Sequence, residues 1–359
     1  MKKIAVKLGR CQGGVGLIEI MIALVLGLIL MAGVGQVYVA SRQSYRTAEA
    51  VSRIQEGARF AVIKLTEDLR MAGFMGCGAG GLNITNSLNP AGTGYSASLH
   101  DFSVGLEGTD GASNAPDTID IKYATNYGLK VVQLMTQASA NIKVTPNDKL
   151  ASGDIVLVCD VSQGDIFQVS NATGGSGANK DTTVHNSGSS TNPGNYNPGA
   201  CSGGANPHCL SKAYDTNARI FGLSAIQYSV GTGSGSGAPP ALFRSENGVT
   251  QELVEGVENL QVVYGVDTTA TADGAADTYM TATAIEAAIT AGSATVDWTR
   301  VASVRISFLM RTNETNLTQS AQTYTYDHDG DGISTLQTAA DSRIRRVYTA
   351  TINLRNRSL

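Results

Sequence analysis

The chain has 359 residues, 16% of them charged, with 41 glycines and a formal net charge of −4. That length suits a stalk helix plus one enlarged globular domain, and the glycine content points to many loops. Four of the 26 basic residues fall in the first fourteen positions, which leaves 22 against 30 acids elsewhere, and an acidic body argues against nucleic acid as the partner.

Residues 1–14 carry Lys2, Lys3, Lys7 and Arg10 and no acid. From Val15 to Gly35 the one charged residue is Glu19, and Ile20–Gly35 has no polar side chain. With its flanks this run reaches the roughly 20 apolar positions of a bilayer span. The basic residues before it place the N-terminus in the cytoplasm and the remainder outside. A secretory signal carries its small-residue cleavage site after the apolar core, whereas Gly13-Gly14 precedes it here. A lipoprotein leader at Cys11 fits no better, because Arg10 precedes the cysteine and the apolar run follows it. A carboxylate inside such a span costs about 2.5–3.5 kcal/mol, so Glu19 reads as functional; the bland alternative seats it at a solvated interface.

The stretch Gly14-Val15-Gly16-Leu17-Ile18-Glu19 resembles the class III signal of type IV prepilins, with Val15 where that family most often has Phe. The resemblance implies cleavage by a prepilin peptidase between Gly14 and Val15, N-methylation of Val15, and Glu19 as the fifth mature residue. It also implies a register role: the amine at Val15 of one subunit pairs with Glu19 of a neighbour, which offsets the burial of both charges.

Beyond the span, Val51, Ile54, Ala58, Ala61, Leu65 and Leu69 recur at spacings of three and four, with Arg53, Glu56, Glu67 and Arg70 off that stripe. No proline occurs before Pro90, and Gly73 with the Gly76–Gly81 cluster ends the helix. A helix from Val15 to about Met71 would run roughly 85 Å. The periodic part is short for a coiled coil, so packing on the protein's own sheet is expected. Gly76–Gly81 matches GxGxxG but follows a helix instead of a strand, so it reads as a turn and not a nucleotide loop. The expected organisation is a leader (1–14), a membrane or filament-core half-helix (15–37), an amphipathic half-helix (38–72) and a periplasmic β-rich domain (73–359).

Strands are expected at Thr118–Tyr123, Lys130–Met135, Asp154–Cys159, Ile166–Ser170, Arg219–Val230 and Leu260–Tyr264. Two later ones show clear alternation, through Val304, Ile306, Phe308 and Met310, and through Tyr348, Ala350, Ile352 and Leu354. A short helix is expected around Tyr279–Ile289. Asn171–Asn206, rich in Gly, Ser, Asn and Pro, reads as a long surface loop, and Gly231–Gly237 as a linker. Apart from Cys11, the cysteines are Cys77, Cys159, Cys201 and Cys209, an even set that suits two disulfides in an exported domain. Nearness in sequence pairs Cys201 with Cys209 and leaves Cys77 for Cys159, one of three connectivities. Zinc is the alternative, but there is no CxxC, and His208 is the one histidine near a cysteine.

Segments Arg59–Cys77, Gly153–Cys159, Asp165–Val169, Glu252–Asp267 and Arg345–Arg357 together resemble the PilW family of type IV pilus minor pilins. The resemblance implies an α+β, pilin-like fold: a long N-terminal helix on an antiparallel sheet. It implies initiation of pilus assembly together with other minor pilins, the major pilin and a tip adhesin, from an anchor in the bacterial inner membrane. The J-type minor pseudopilin of type II secretion is similar in architecture.

Asp327-His328-Asp329-Gly330-Asp331-Gly332 places Asp327, Asp329 and Asp331 at positions 1, 3 and 5 of a calcium loop, with the turn glycine at 6. Position 12 is Thr338 instead of Glu, so an acidic surface turn competes with a calcium-binding adhesive module. The four histidines, His100, His185, His208 and His328, lie in loop-like stretches, and no GxSxG, HExxH or Walker A motif occurs, so no enzyme is expected.

Overall fold

The computed structural model describes residues 16–77, 83–145, 149–173, 182–187, 191–196, 208–330 and 332–355. In chain order the elements are α1 (Leu17–Met71), β1 (Asn83–Asn86), α2 (Ala97–His100), β2 (Leu106–Thr109), β3 (Thr118–Lys130), β4 (Ile142–Lys143), β5 (Ile155–Cys159), β6 (Gln163–Gln168), β7 (Asn171–Thr173), β8 (Thr182–Val184), β9 (Arg219–Thr232), β10 (Pro240–Glu246), β11 (Val249–Glu255), β12 (Val257–Val266), β13 (Thr278–Met280), α3 (Ala282–Thr290), β14 (Val301–Arg311), β15 (Thr323–Tyr326), β16 (Thr335–Thr338) and β17 (Arg345–Asn353). The fold is α+β and pilin-like, a long N-terminal helix packed on mostly antiparallel sheets. The chain divides into two compact units, Met1–Ser52 and Arg53–Leu359.

Within the second unit, Ile54, Ala58, Ala61, Leu65 and Leu69 of α1, and Ala72 just after it, are at most 4% exposed. They enter one core with Ile119 and Ile121 of β3, Tyr228 of β9, Leu242 of β10, Leu260 and Val262 of β12, and Ile306 and Phe308 of β14. Spacings of three and four place these helical residues on one face, and that face is what the sheets cover. Gly57 permits the close approach: a Cβ there would stand 2.9 Å from Val254 Cγ1. The helix ends at Met71, and Gly73 just beyond it has a φ of 73°, which suits a left-handed cap, and donates its N–H to Lys122 O at 2.9 Å.

Among the described residues, β9 is the shared strand of an eight-stranded sheet, in the order β1-β6-β5-β9-β10-β11, with β3 on β9 and β2 on β3. A second sheet runs β13-β12-β14-β17; β15-β16 and β4-β8-β7 are small. One pairing, β1 with β6, is parallel, so the larger sheet is mixed and not purely antiparallel.

Several local expectations are corrected. Lys130–Met135 is not a strand: β3 runs on to Lys130 through an irregularity between Asn126 and Leu129, and Val131 makes only an isolated bridge to Val144. The Tyr279–Ile289 helix begins later, at Ala282: Thr281 is its N-cap and accepts from Ala284 N at 3.3 Å, and Asp110 accepts from the next free amides, Ala282 N at 3.0 Å and Thr283 N at 2.7 Å. Tyr279 belongs instead to β13. The Asn171–Asn206 tract contains β7 and β8, which pair with each other, and β8 also pairs with β4. Gly231 lies within β9, and the linker beyond it is the tight connection from β9 to β10, closed by Gly233 N donating to Pro239 O at 3.0 Å. A hairpin not expected from the sequence, β10–β11, turns on Asn247-Gly248, with φ values of 50° and 84°.

Candidate assembly surface

Among the described residues, nothing covers the apolar run of α1 in the first unit. An 18-residue window of α1 has mean hydropathy 2.7 and none of it is buried. Leu24, Val25, Leu26, Leu28, Ile29, Leu30 and Met31 are 56–75% exposed, spread around the helix instead of along one stripe. By length and composition this is a helix able to cross a bilayer. Glu19 sits in its first turn, exposed, with its N–H donating to Gly16 O at 3.0 Å. A carboxylate at a helix N-terminus is favoured by the unpaired amides there. Gly14 and Val15 lie outside the described residues.

The second unit fixes its part of α1 with a buried charge. Asp68 is 3% exposed and lies among the core-facing residues, three positions after Leu65. Its Oδ2 accepts from Tyr228 Oη at 2.6 Å and Arg244 Nε at 2.7 Å, and its Oδ1 from Tyr123 Oη at 3.1 Å. One helical carboxylate thus engages β3, β9 and β10 together. Burial raises both tyrosine pKa values, and the adjacent Asp68 adds to the rise, so both hydroxyls stay donors. Burial opposes the charge on Arg244, but hydrogen bonds to Asp68 and Glu246 more than offset it and raise its pKa. The sequence did carry a signal for Asp68: an acid at a stripe position between Leu65 and Ala72 needs a partner.

Cys77, just past the helix, is bonded to Cys159 of β5. The two are 82 positions apart, and closing a loop of that length is worth about 4 kcal/mol on a chain-entropy account. Cys209 is also disulfide-bonded; Cys201 lies outside the described residues.

The Asp327 loop joins β15 to β16. Asp327 accepts from Gly330 N at 2.8 Å and Gly332 N at 2.9 Å, so both its oxygens tie down the turn. Asp329 is exposed and Asp331 lies outside the described residues. Among the described residues no three His, Cys, Asp or Glu side chains are grouped to hold a metal.

The histidines are not all surface groups. His100 is buried in α2, and His185 and His208 are each 2% exposed, with Nδ1 atoms 2.9 Å apart. His185 Nε2 lies 3.0 Å from Ala140 O, which can only accept, so His185 Nδ1 is the acceptor in the pair. Burial, with the neighbouring His185, pushes the His208 pKa down to about 3. His185 of this pair packs edge-on against Phe167, ring centroids 5.5 Å apart.

A family model described as Type IV Pilus-assembly protein W matches residues 227–356, and one described as Prokaryotic N-terminal methylation motif matches residues 9–35. The first match covers the end of β9 and everything from β10 through β17; the second covers the cleavage motif and the start of α1. No curated protein and no solved structure matches the chain significantly.

Proposed function

From the premise that this chain belongs to the PilW family of type IV pilus-assembly proteins and carries the prepilin N-methylation motif, we propose that it is a minor pilin. A prepilin peptidase processes it, the bacterial inner membrane holds it, and it joins other minor pilins to initiate the pilus or cap its tip. The observation that carries this reading is the unburied apolar run of α1, with the single carboxylate Glu19 inside the methylation motif. Such a helix is soluble first in the bilayer and then in a bundle of like helices. In the bundle the burial cost of Glu19, about 2.5–3.5 kcal/mol unpaired, is offset by the methylated amine at Val15 of a neighbour.

N-terminal sequencing of the mature protein tests the processing. A methylated Val15 is expected; an intact Met1, or a start after Gly35, would refute it. Glu19→Val separates register from anchoring. It should keep the protein in the membrane fraction and strongly reduce its share in sheared pili, and wild-type incorporation of that variant would end the register role.

A further inference from the structure

In β17 the backbone groups of alternate residues point to opposite sides. Its pairing with β14 runs without a shift from Arg345↔Arg311 to Asn353↔Ser303. Leu354 N donates to Ala302 O, and Thr312 N donates to Ile344 O, both at 2.9 Å. The even-numbered residues therefore face β14, and the odd-numbered ones direct N–H and C=O away from it. Arg345 is the first of these, and the Gln322 side chain satisfies it: Arg345 N donates to Oε1 at 2.6 Å, and Nε2 donates to Arg345 O at 2.9 Å. Beyond it Val347, Thr349, Thr351 and Asn353 have no backbone partner among the described residues, and β17 ends its sheet.

This edge lacks most of the usual guards. It has no proline and no bulge, and Arg346 is the one exposed charge within it. The other long edge strand, β11, pairs through a register shift at Leu242/Phe243 and carries Glu252 and Glu255, while β13 spans three residues. Beside β17 lies a groove of about 410 Å³, between Val62, Thr66 and Arg70 of α1 and residues 350–353 with Arg355. Arg355 is its exposed cation, Arg70 already having a partner of its own, and no acid lines it.

We propose that the outer edge of β17 is a β-augmentation site, which takes an extended, acidic strand from a neighbouring pilus subunit into the groove beside α1. The backbone edge supplies the hydrogen bonds, alternate side chains of the incoming strand meet Val62 and Thr66, and an acidic side chain meets Arg355. The proposal rests on the pilus-assembly reading above and adds the partner's chemistry and its seat.

The test places the photo-crosslinker p-benzoylphenylalanine at Thr351 in the full-length protein, in piliated cells. The expected product is a crosslink to another pilus subunit, with the attached peptide mapping to an extended segment that contains Asp or Glu. Thr349→Pro removes an outward N–H without touching the ladder to β14. It should cut the crosslink at least tenfold with an unchanged melting temperature, and Thr349→Ala should not. Should the proline variant fold poorly, Arg355→Glu provides the second arm, with a several-fold loss expected. A crosslink indifferent to both variants, one to this chain itself, or one to a second copy away from any strand would overturn the proposal. So would no crosslink from a protein that still co-fractionates with other pilins. If the wild-type protein is absent from the pilus fraction altogether, the assembly reading fails, and this proposal with it.

Discussion

Leu28 and Leu65 are the same side chain on one helix, yet Leu28 is 70% exposed and Leu65 is fully buried. The neighbours of Leu28 are apolar on every side of the helix, and among the described residues no layer is set against them. Leu65 belongs to a single stripe, and β3, β9, β10, β12 and β14 were built to cover it. The contrast shows that apolar content and apolar pattern say different things. A run without a polar face calls for a surrounding that the chain does not contain, whereas a stripe at helical spacing calls for one that it does.

The sharpest way to break the comparison is at the charge that secures the second half. Asp68→Ala leaves the Arg244 guanidinium buried at 12% side-chain exposure, with Glu246 as its remaining partner. Unfolding by urea should show a loss of about 3–5 kcal/mol; a loss below about 1 would mean that the network does not hold the helix. Next in size, Leu65→Ala should cost about 3 kcal/mol in the same measurement. Leu28→Ala should stay within about 0.5 kcal/mol there and act instead on incorporation into pili. Equal effects on unfolding would erase the distinction between the halves.

The smallest effects are in pH, and they belong to the globular unit alone. Burial pushes the Asp117 carboxyl up to about 6, against hydrogen bonds from Gly111 N and Val262 N, with Asp110 and Asp327 adding to the rise. The folded state then holds a proton that the unfolded chain releases, so this group's contribution is full below about pH 4 and is lost as pH rises to 6. His208 acts in the opposite sense, because the unfolded chain takes up a proton that the buried ring refuses. Its contribution is present above about pH 6.5 and is lost as pH falls toward 3. Melting curves across pH 3–8 should therefore lose their decline between 4 and 6 in Asp117→Asn, with the acid-side loss retained.

Much of this was legible in the residues. The span, Glu19 and the stripe from Ile54 to Leu69 follow from periodicity and from the cost of a charge in apolar surroundings. The alternation in β14 and β17 was equally plain. What local pattern could not supply were contacts made across the chain. Asp110 accepts from the first amide of α3 from 172 positions away, and Arg244 finds Asp68 from 176 positions away. The β10–β11 hairpin was readable from Asn247-Gly248, but the charged residues that flank it, Arg244, Glu246 and Glu252, mask the alternation of a strand. The free edge of β17 was invisible in principle, since sequence shows that a strand exists and not which of its sides is paired.

The bond between Cys77 and Cys159 has a mechanical consequence. β5 lies inside the larger sheet, with β6 on one side and β9 on the other. Tension drawn through α1 reaches that strand across a covalent link just past the helix end, and meets the hydrogen bonds of β5 to its neighbours in shear. A pull that overcomes the packing of α1 still leaves the helix end tied to the middle of a sheet, so the load passes to β5 instead of running on along the chain.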